Sequence, residues 1–112
     1  MMLEVLSREA RSASPRTPIL FVHGAYVGAW CWEENFLDWF AGRGYPVHAV
    51  SLSGHGGSPG RERLDQFGLA HYAEDVARAV AALPAPPVLV GHSMGAMVVQ
   101  KVLERVAQIP AL

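Results

Sequence analysis

The stretch PPVLVGHSMGAMVVQKVLERV (residues 86–106) runs from an apolar segment through a serine between two glycines into a longer apolar segment. The run at 88–90 follows two prolines and predicts a short buried strand, and residues 94–107 predict a helix. The residues between them, 91–95, fit the pattern G-x-S-x-G. Glycine disfavours both helix and strand interiors. A sharp strand-to-helix turn that carries Ser93 is therefore predicted.

This turn has two interpretations. In the first, the turn projects the Ser93 hydroxyl from the edge of a sheet, and the helix N-terminus behind it favours an oxyanion. Gly91 and Gly95 then keep Cβ atoms out of the space where strand and helix nearly touch. In the second, Ser93 only caps the helix, a common role for serine. The apolar strand before the turn and the helix after it favour a nucleophilic serine.

The rest of the chain alternates in the same way. Strands are predicted at 18–22 and 45–52, and a weak alternation at 2–9 predicts a short edge strand. Helices are predicted at 30–41 and 69–83, and a further strand is expected to begin at 109–112. The apolar faces of the two helices are expected to be formed by Trp32, Phe36, Trp39 and Phe40, and by Tyr72, Val76, Val80 and Leu83.

The order strand, helix, strand, helix, strand, helix predicts the α/β class, with a mostly parallel sheet covered by helices on both faces. If the strands at 45–52 and 88–90 lie on opposite sides of the strand at 18–22, the chain changes direction between them. Crevices form at the carboxyl ends of the strands at such a switch point.

Composition argues against several functional classes. The formal net charge is −1 with scattered basic residues, so we expect no nucleic-acid partner and no membrane. The five histidines lack zinc-like spacing, and Gly54-His55-Gly56 has Pro59 where a dinucleotide fingerprint needs glycine, so we expect neither metal nor cofactor. The lone Cys31 is expected to be a buried small hydrophobe. Without a signal peptide or membrane-length segment, the expected location is cytoplasmic.

Three motifs, FVHGAYVGAW (21–30), SLSGHGGSP (51–59) and VGHSMG (90–95), resemble the α/β-hydrolase family in order and spacing. The resemblance implies that Ser93 is the catalytic nucleophile. It also implies an oxyanion hole made of the backbone N–H groups of Ala25, with Tyr26 as a substitute, and Met94. The motifs further contain the structural residues His23, Gly24, Gly91 and Gly95.

Two histidines in these motifs are expected to be structural, and one serine departs from the family pattern. The resemblance gives His23 a structural role in shaping the loop after its strand. His92 is expected to point away from the Ser93 hydroxyl and to pack. Ser51 stands where the family often has aspartate, which leaves open how the loop after Ser51 is anchored.

The catalytic triad is incomplete in this sequence. After Ser93 there is no histidine, and the sequence offers one acid, Glu104, on an expected solvent face. A rearranged triad with the upstream His55 and Asp65 is the alternative, while His71 is expected at the surface or in packing. We therefore expect residues 1–112 to be the N-terminal part of a single α/β-hydrolase domain, cut near the start of the next strand.

The expected activity of the family member is hydrolysis of carboxylic esters or lactones, with a small-molecule, ester-like substrate. HGAYVGAWCW (23–32) resembles plant-type methyl esterases and hydroxynitrile lyases, so a lyase is the enzymatic alternative. An acyltransferase, a cofactor-free haloperoxidase and a non-catalytic vestigial fragment are further alternatives. This chain alone is expected to be inactive, and an exposed strand edge at 88–91 is expected to favour self-association.

Overall fold

A computed structural model describes residues 2–104, which contain one four-stranded sheet. The strands are β1 (Val5–Arg8), β2 (Ile19–Val22), β3 (Val47–Val50) and β4 (Val88–Gly91), in the order β1-β3-β2-β4. β2 is parallel to β3 and to β4, and β1 is antiparallel to β3. The prediction of a mostly parallel α/β sheet is confirmed, as is the edge strand near the N-terminus.

The register brings the carboxyl ends of the three parallel strands to one edge. Val22, the last residue of β2, pairs with Val50 on one side and with Gly91 on the other. The chain therefore passes from β2 to β3 in one direction and crosses back to β4 in the other. This confirms the predicted switch point, and the segments that follow the three strands leave the sheet side by side.

Helices cover both faces of the sheet. α1 (Asp38–Ala41) ends an irregular segment over residues 29–41, whereas α2 (Leu69–Ala81) and α3 (Met94–Leu103) are regular. Against α2 and α3 the sheet buries a core that includes Leu20, Val22, Val50, Leu89, Val76 and Val98. Against the irregular segment it buries a second core that includes Ile19, Phe21, Val47, Trp32, Leu37 and Ala41.

The predicted helix over 30–41 is confirmed as a helical segment, but its predicted apolar face is wrong at Phe36 and Trp39. The segment starts as a 3₁₀ turn (Ala29–Trp32), continues as a π-helical turn (Glu33–Leu37) and ends in α1. Each change of helix type rotates the later residues relative to an ideal α-helix. As a result Phe36 and Trp39 are exposed, and Leu37 and Ala41 are completely buried in their place.

The two later helices agree better with expectation. α2 ends at Ala81, and its buried face runs through Tyr72 and Val76, while Val80 and Leu83 are half-buried. α3 covers residues 94–103 of the predicted helix, whose last residues lie outside the described part of the chain, together with the predicted strand at 109–112. Within residues 2–104 the outer edge of β4 has no strand partner, and self-association through it stays a prediction.

Candidate functional site

Ser93 lies in the turn between β4 and α3, with φ 57° and ψ −122°. A non-glycine residue in such a conformation costs on the order of 1–3 kcal/mol and persists only where neighbouring contacts fix it. Here the His92 N–H donates to the carbonyl oxygen of Val22 at 3.1 Å, and the Gly95 N–H donates to that of His92 at 2.9 Å. The turn is thus tied to the end of the central strand, and Ser93 is exposed.

The two glycines of the turn stand where the backbone is most crowded. A Cβ at Gly91 would lie 2.5 Å from the Gly95 carbonyl oxygen and 2.7 Å from Ala96 Cα. A Cβ at Gly95 would overlap the carbonyl oxygen of Val22 and lie 2.6 Å from that of His23. Both neighbours are backbone atoms, so α3 can approach the sheet this closely only with glycine at both positions.

The segment after β2, which we call the His-Gly loop (residues 23–28), runs directly beside Ser93. A Cβ at Gly24 would lie 3.2 Å from Ser93 Cβ and 3.6 Å from Ser93 Oγ. Ala25 and Tyr26 are exposed, and Tyr26 has φ 63°. The backbone of the His-Gly loop and the Ser93 side chain are far apart in sequence but lie next to each other in the fold.

His23 connects the ends of β2 and β3. Its side chain is completely buried, its Nδ1 bonds the Gly24 carbonyl oxygen at 2.6 Å, and its Nε2 accepts the Leu52 N–H at 3.0 Å. Because a carbonyl only accepts, Nδ1 carries the proton and the ring is neutral. Burial lowers the pKa of His23, against the effect of the Gly24 hydrogen bond, and nearby His55 lowers it further.

The lowered pKa predicts the direction of a pH effect on stability. Above the unfolded pKa of about 6.5, neutral His23 makes its full contribution. As the pH falls, the unfolded chain takes up the proton first, so stability is lost. The urea midpoint is expected to decrease between pH 7.5 and 5.5, and less steeply in His23→Gln. Burial also lowers the pKa of His48, so His23→Gln/His48→Gln should be flatter still. A midpoint independent of pH in the wild type would contradict this.

Ala25 and Met94 both line a cavity of about 450 Å³ at the carboxyl edge of the sheet. Its wall also includes the side chains of His55, Phe67 and Tyr72. Three exposed charged residues contribute as well, namely Arg61, Glu62 and Asp65. The site therefore combines aromatic and charged residues with the two backbone segments that flank Ser93.

The alternative triad residues are not joined to Ser93. His55 is buried, and its Nδ1 donates to the Ser53 carbonyl oxygen at 3.0 Å; Asp65 is exposed. Within residues 2–104 no hydrogen bond links Ser93 Oγ, His55 and Asp65. Glu104 is exposed and pairs with Lys101 at 3.3 Å, as expected for a solvent face.

Three remaining expectations have mixed outcomes. His92 is exposed and makes an edge contact with the Trp32 ring at 6.4 Å, so its expected packing is limited. Cys31 is half-buried, and burial raises the pKa of its thiol. His71 is at the surface, stacked on Phe67.

No group of three or more metal-binding side chains occurs in the described chain, and no described helix is long and apolar enough to span a bilayer.

A sequence model of the Alpha/beta hydrolase family matches residues 19–111. The chain belongs to this family. It is 36% identical over 98 residues to Esterase PIR7B of Oryza sativa subsp. japonica, covering 84% of this chain and 35% of that protein. It is 33% identical over 92 residues to Methyl jasmonate esterase 1 of Vitis vinifera, covering 80% and 34%.

Solved structures show the same fold. A crystal structure of a putative non-heme bromoperoxidase, BpoC from Mycobacterium tuberculosis, superposes with a TM-score of 0.83 at 22% identity, covering 99% of this chain and 40% of that one. The chain spans about a third of the length of the two esterases named above, Esterase PIR7B and Methyl jasmonate esterase 1.

Two carboxylates of this α/β-hydrolase chain were missed by sequence reasoning. Asp75 on α2 is completely buried and accepts the Ser53 N–H at 2.8 Å and an Arg78 N–H at 3.0 Å. Its position, three residues after Tyr72 on the apolar face, is a detectable signal. Glu4, just before β1, accepts hydrogen bonds from Ser51 and Gly57, and nothing in its local sequence indicates this.

Proposed function

We propose that Ser93 is the nucleophile of a serine esterase and that the protein to which this chain corresponds hydrolyses carboxylic esters of small molecules. One observation carries the proposal: Ser93 holds a strained, positive-φ conformation in a strand-to-helix turn directly beside the His-Gly loop. A nucleophile elbow requires this arrangement, because it exposes the hydroxyl above the sheet edge. The esterase names of two relatives support the reaction class.

The oxyanion hole is proposed to consist of the backbone N–H groups of Ala25 and Met94, with Tyr26 as the substitute for Ala25. Met94 is the first residue of α3, where N–H groups have no partner within the helix. Both residues line the cavity beside Ser93. Losing one such donor typically raises the barrier by about 3 kcal/mol.

Within residues 2–104 no histidine is hydrogen-bonded to the Ser93 hydroxyl as a proton acceptor. No histidine follows Ser93 in the 112 residues, and His55 bonds Ser53 instead. We propose that this chain alone shows negligible ester turnover, and that the remaining oxyanion stabilisation makes Ser93 only modestly reactive. Hydrolysis of p-nitrophenyl acetate by the 112-residue chain at more than a few times the rate of Ser93→Ala would contradict this part.

A fluorophosphonate probe tests the nucleophile. We expect the probe to label Ser93 slowly, but at a rate at least about 10-fold higher than its rate at the exposed Ser14. The proposed reason is that two backbone amides polarise the phosphoryl oxygen at Ser93. Peptide mapping by mass spectrometry measures both rates in the same sample, and Ser93→Ala is the control. Equal rates at Ser93 and Ser14 would exclude an activated serine.

A further inference from the structure

Glu4 and Ser51 form a hydrogen-bonded pair between the edge strand and the site. Ser51 Oγ donates to Glu4 Oε1 at 2.7 Å, and the Ser51 N–H donates to the Glu4 carbonyl oxygen at 2.9 Å. Ser58 closes the pair from the other side, since its Oγ accepts the Glu4 N–H at 2.9 Å and donates to the Ser51 carbonyl oxygen at 2.6 Å. Glu4 is therefore fixed by main chain and side chain together.

The pair contacts the residue that follows the His-Gly loop and the loop that carries His55. Ser51 Oγ accepts the N–H of Ala29, the residue that directly follows the His-Gly loop, at 2.9 Å. Glu4 Oε1 also accepts the Gly57 N–H at 2.8 Å, in the loop that carries His55. Ser51 and Ala29 are completely buried, so water does not compete for the hydroxyl between them. A Cβ at Gly57 would lie 2.6 Å from Glu4 Oε2, so a side chain there would displace the Glu4 carboxylate.

We propose that Glu4 is a positioning residue for the Ser93 site: its carboxylate sets the His-Gly loop through the Ser51 hydroxyl and sets the His55 loop directly through Gly57. The effect of Glu4 on a catalytic serine rests on the proposed function, whereas the hydrogen bonds from Glu4 to Ser51 and Gly57 and from Ala29 to Ser51 do not. The Glu4 carboxylate thereby places a negative charge beside the uncharged Ser51 hydroxyl. Glu4 thus anchors the loop after Ser51 from a position 47 residues upstream of Ser51.

The electrostatics agree with an ionised Glu4. The Ser51 hydroxyl and then the Gly57 amide lower the pKa of Glu4, against a small opposing effect of burial. Within residues 2–104 no cation forms an ion pair with Glu4, so these two donors hold the carboxylate. Hydrogen bonds to a charged acceptor are about twice as strong as neutral ones.

An NMR titration of the ¹⁵N-labelled 112-residue chain tests the chain of hydrogen bonds without any substitution. Between pH 7 and 3, the amide protons of Ala29 and Gly57 are expected to shift with one shared midpoint below 4.5, the ordinary pKa of the Glu4 carboxyl. A response of Gly57 with none at Ala29 would overturn transmission through Ser51.

Variants separate the two branches. Ser51→Ala should remove the Ala29 response and keep that of Gly57, whose bond to Glu4 is direct. Glu4→Gln should remove both, and Glu9→Gln, at an exposed position close in the chain, should remove neither. Persistence of the Ala29 response in Ser51→Ala would overturn the proposal. The wild-type titration and Ser51→Ala suffice if Glu4→Gln does not fold.

The link to the Ser93 site has a readout of its own. Fluorophosphonate labelling of Ser93 should be roughly 10-fold slower in Glu4→Gln, because a displaced loop carries its amide away from the oxyanion. Glu4→Gln/Ser51→Asp should recover the rate, since the introduced carboxylate can accept the Ala29 N–H directly; Glu4→Gln with unchanged labelling would overturn positioning. If wild-type Ser93 is not labelled, the proposed function is contradicted. The amide titration still tests whether the Glu4 carboxylate is coupled to Ala29 and Gly57.

Discussion

Gly95→Ala is expected to lower the free energy of unfolding by about 3 kcal/mol or more, which is a large fraction of the roughly 5–15 kcal/mol typical of a folded domain. The added Cβ would overlap the Val22 carbonyl oxygen and approach that of His23. Both atoms belong to β2 and the residue that follows it, at the centre of the sheet, so neither can yield as a flexible side chain can. α3 would have to move away and would open the core between Val98 and the sheet.

Urea unfolding followed by circular dichroism at 222 nm measures this effect, and a variant without a cooperative transition counts as the extreme case. Gly68→Ala is the matched control, because nothing lies within 4 Å of a Cβ at Gly68, the residue that precedes α2. It should stay within about 1 kcal/mol of the wild type. Equal midpoints for the two variants would contradict the close approach of α3 to β2.

The features predicted from sequence are those that depend on residues close in the chain. The turn at Ser93 follows from two glycines spaced around one serine, and the strands at 19–22 and 88–91 follow from short apolar runs. The order of the parallel strands was predicted only conditionally, because alternating elements leave several arrangements open, and the observed order is the one that produces the switch point.

The features that sequence reasoning missed depend on distant residues or on irregular backbone. Glu4 meets Ser51 across 47 positions, and Asp75 meets the Ser53 amide across 22. The position of Asp75 on the apolar face of α2 indicates a buried carboxylate, but no local pattern identifies the distant partner of Asp75 or of Glu4. The buried face of residues 29–41 was mispredicted for a different reason. The prediction used 100° of rotation per residue, and the 3₁₀ and π turns do not follow that period.

This irregular segment gives the second large prediction. Leu37→Ala is expected to destabilise the fold by about 2–5 kcal/mol, because Leu37 is completely buried in the core beneath the π turn. Trp39→Ala should cost only about 1 kcal/mol although it removes a larger side chain. Trp39 is 51% exposed; its ring makes an edge contact with the Phe40 ring, and the Arg43 guanidinium lies over it at 3.6 Å from the ring centre.

The pair of variants distinguishes the irregular segment from a regular helix. On a regular helix with Trp32, Phe36 and Trp39 as its buried face, Trp39→Ala would be the more damaging change. With the observed turns the order reverses, because Leu37 belongs with Phe21 to the second core. Urea midpoints of both variants, measured at the pH where the wild type is most stable, decide the order. A larger loss of stability in Trp39→Ala than in Leu37→Ala would contradict the π turn and favour a regular helix over these residues.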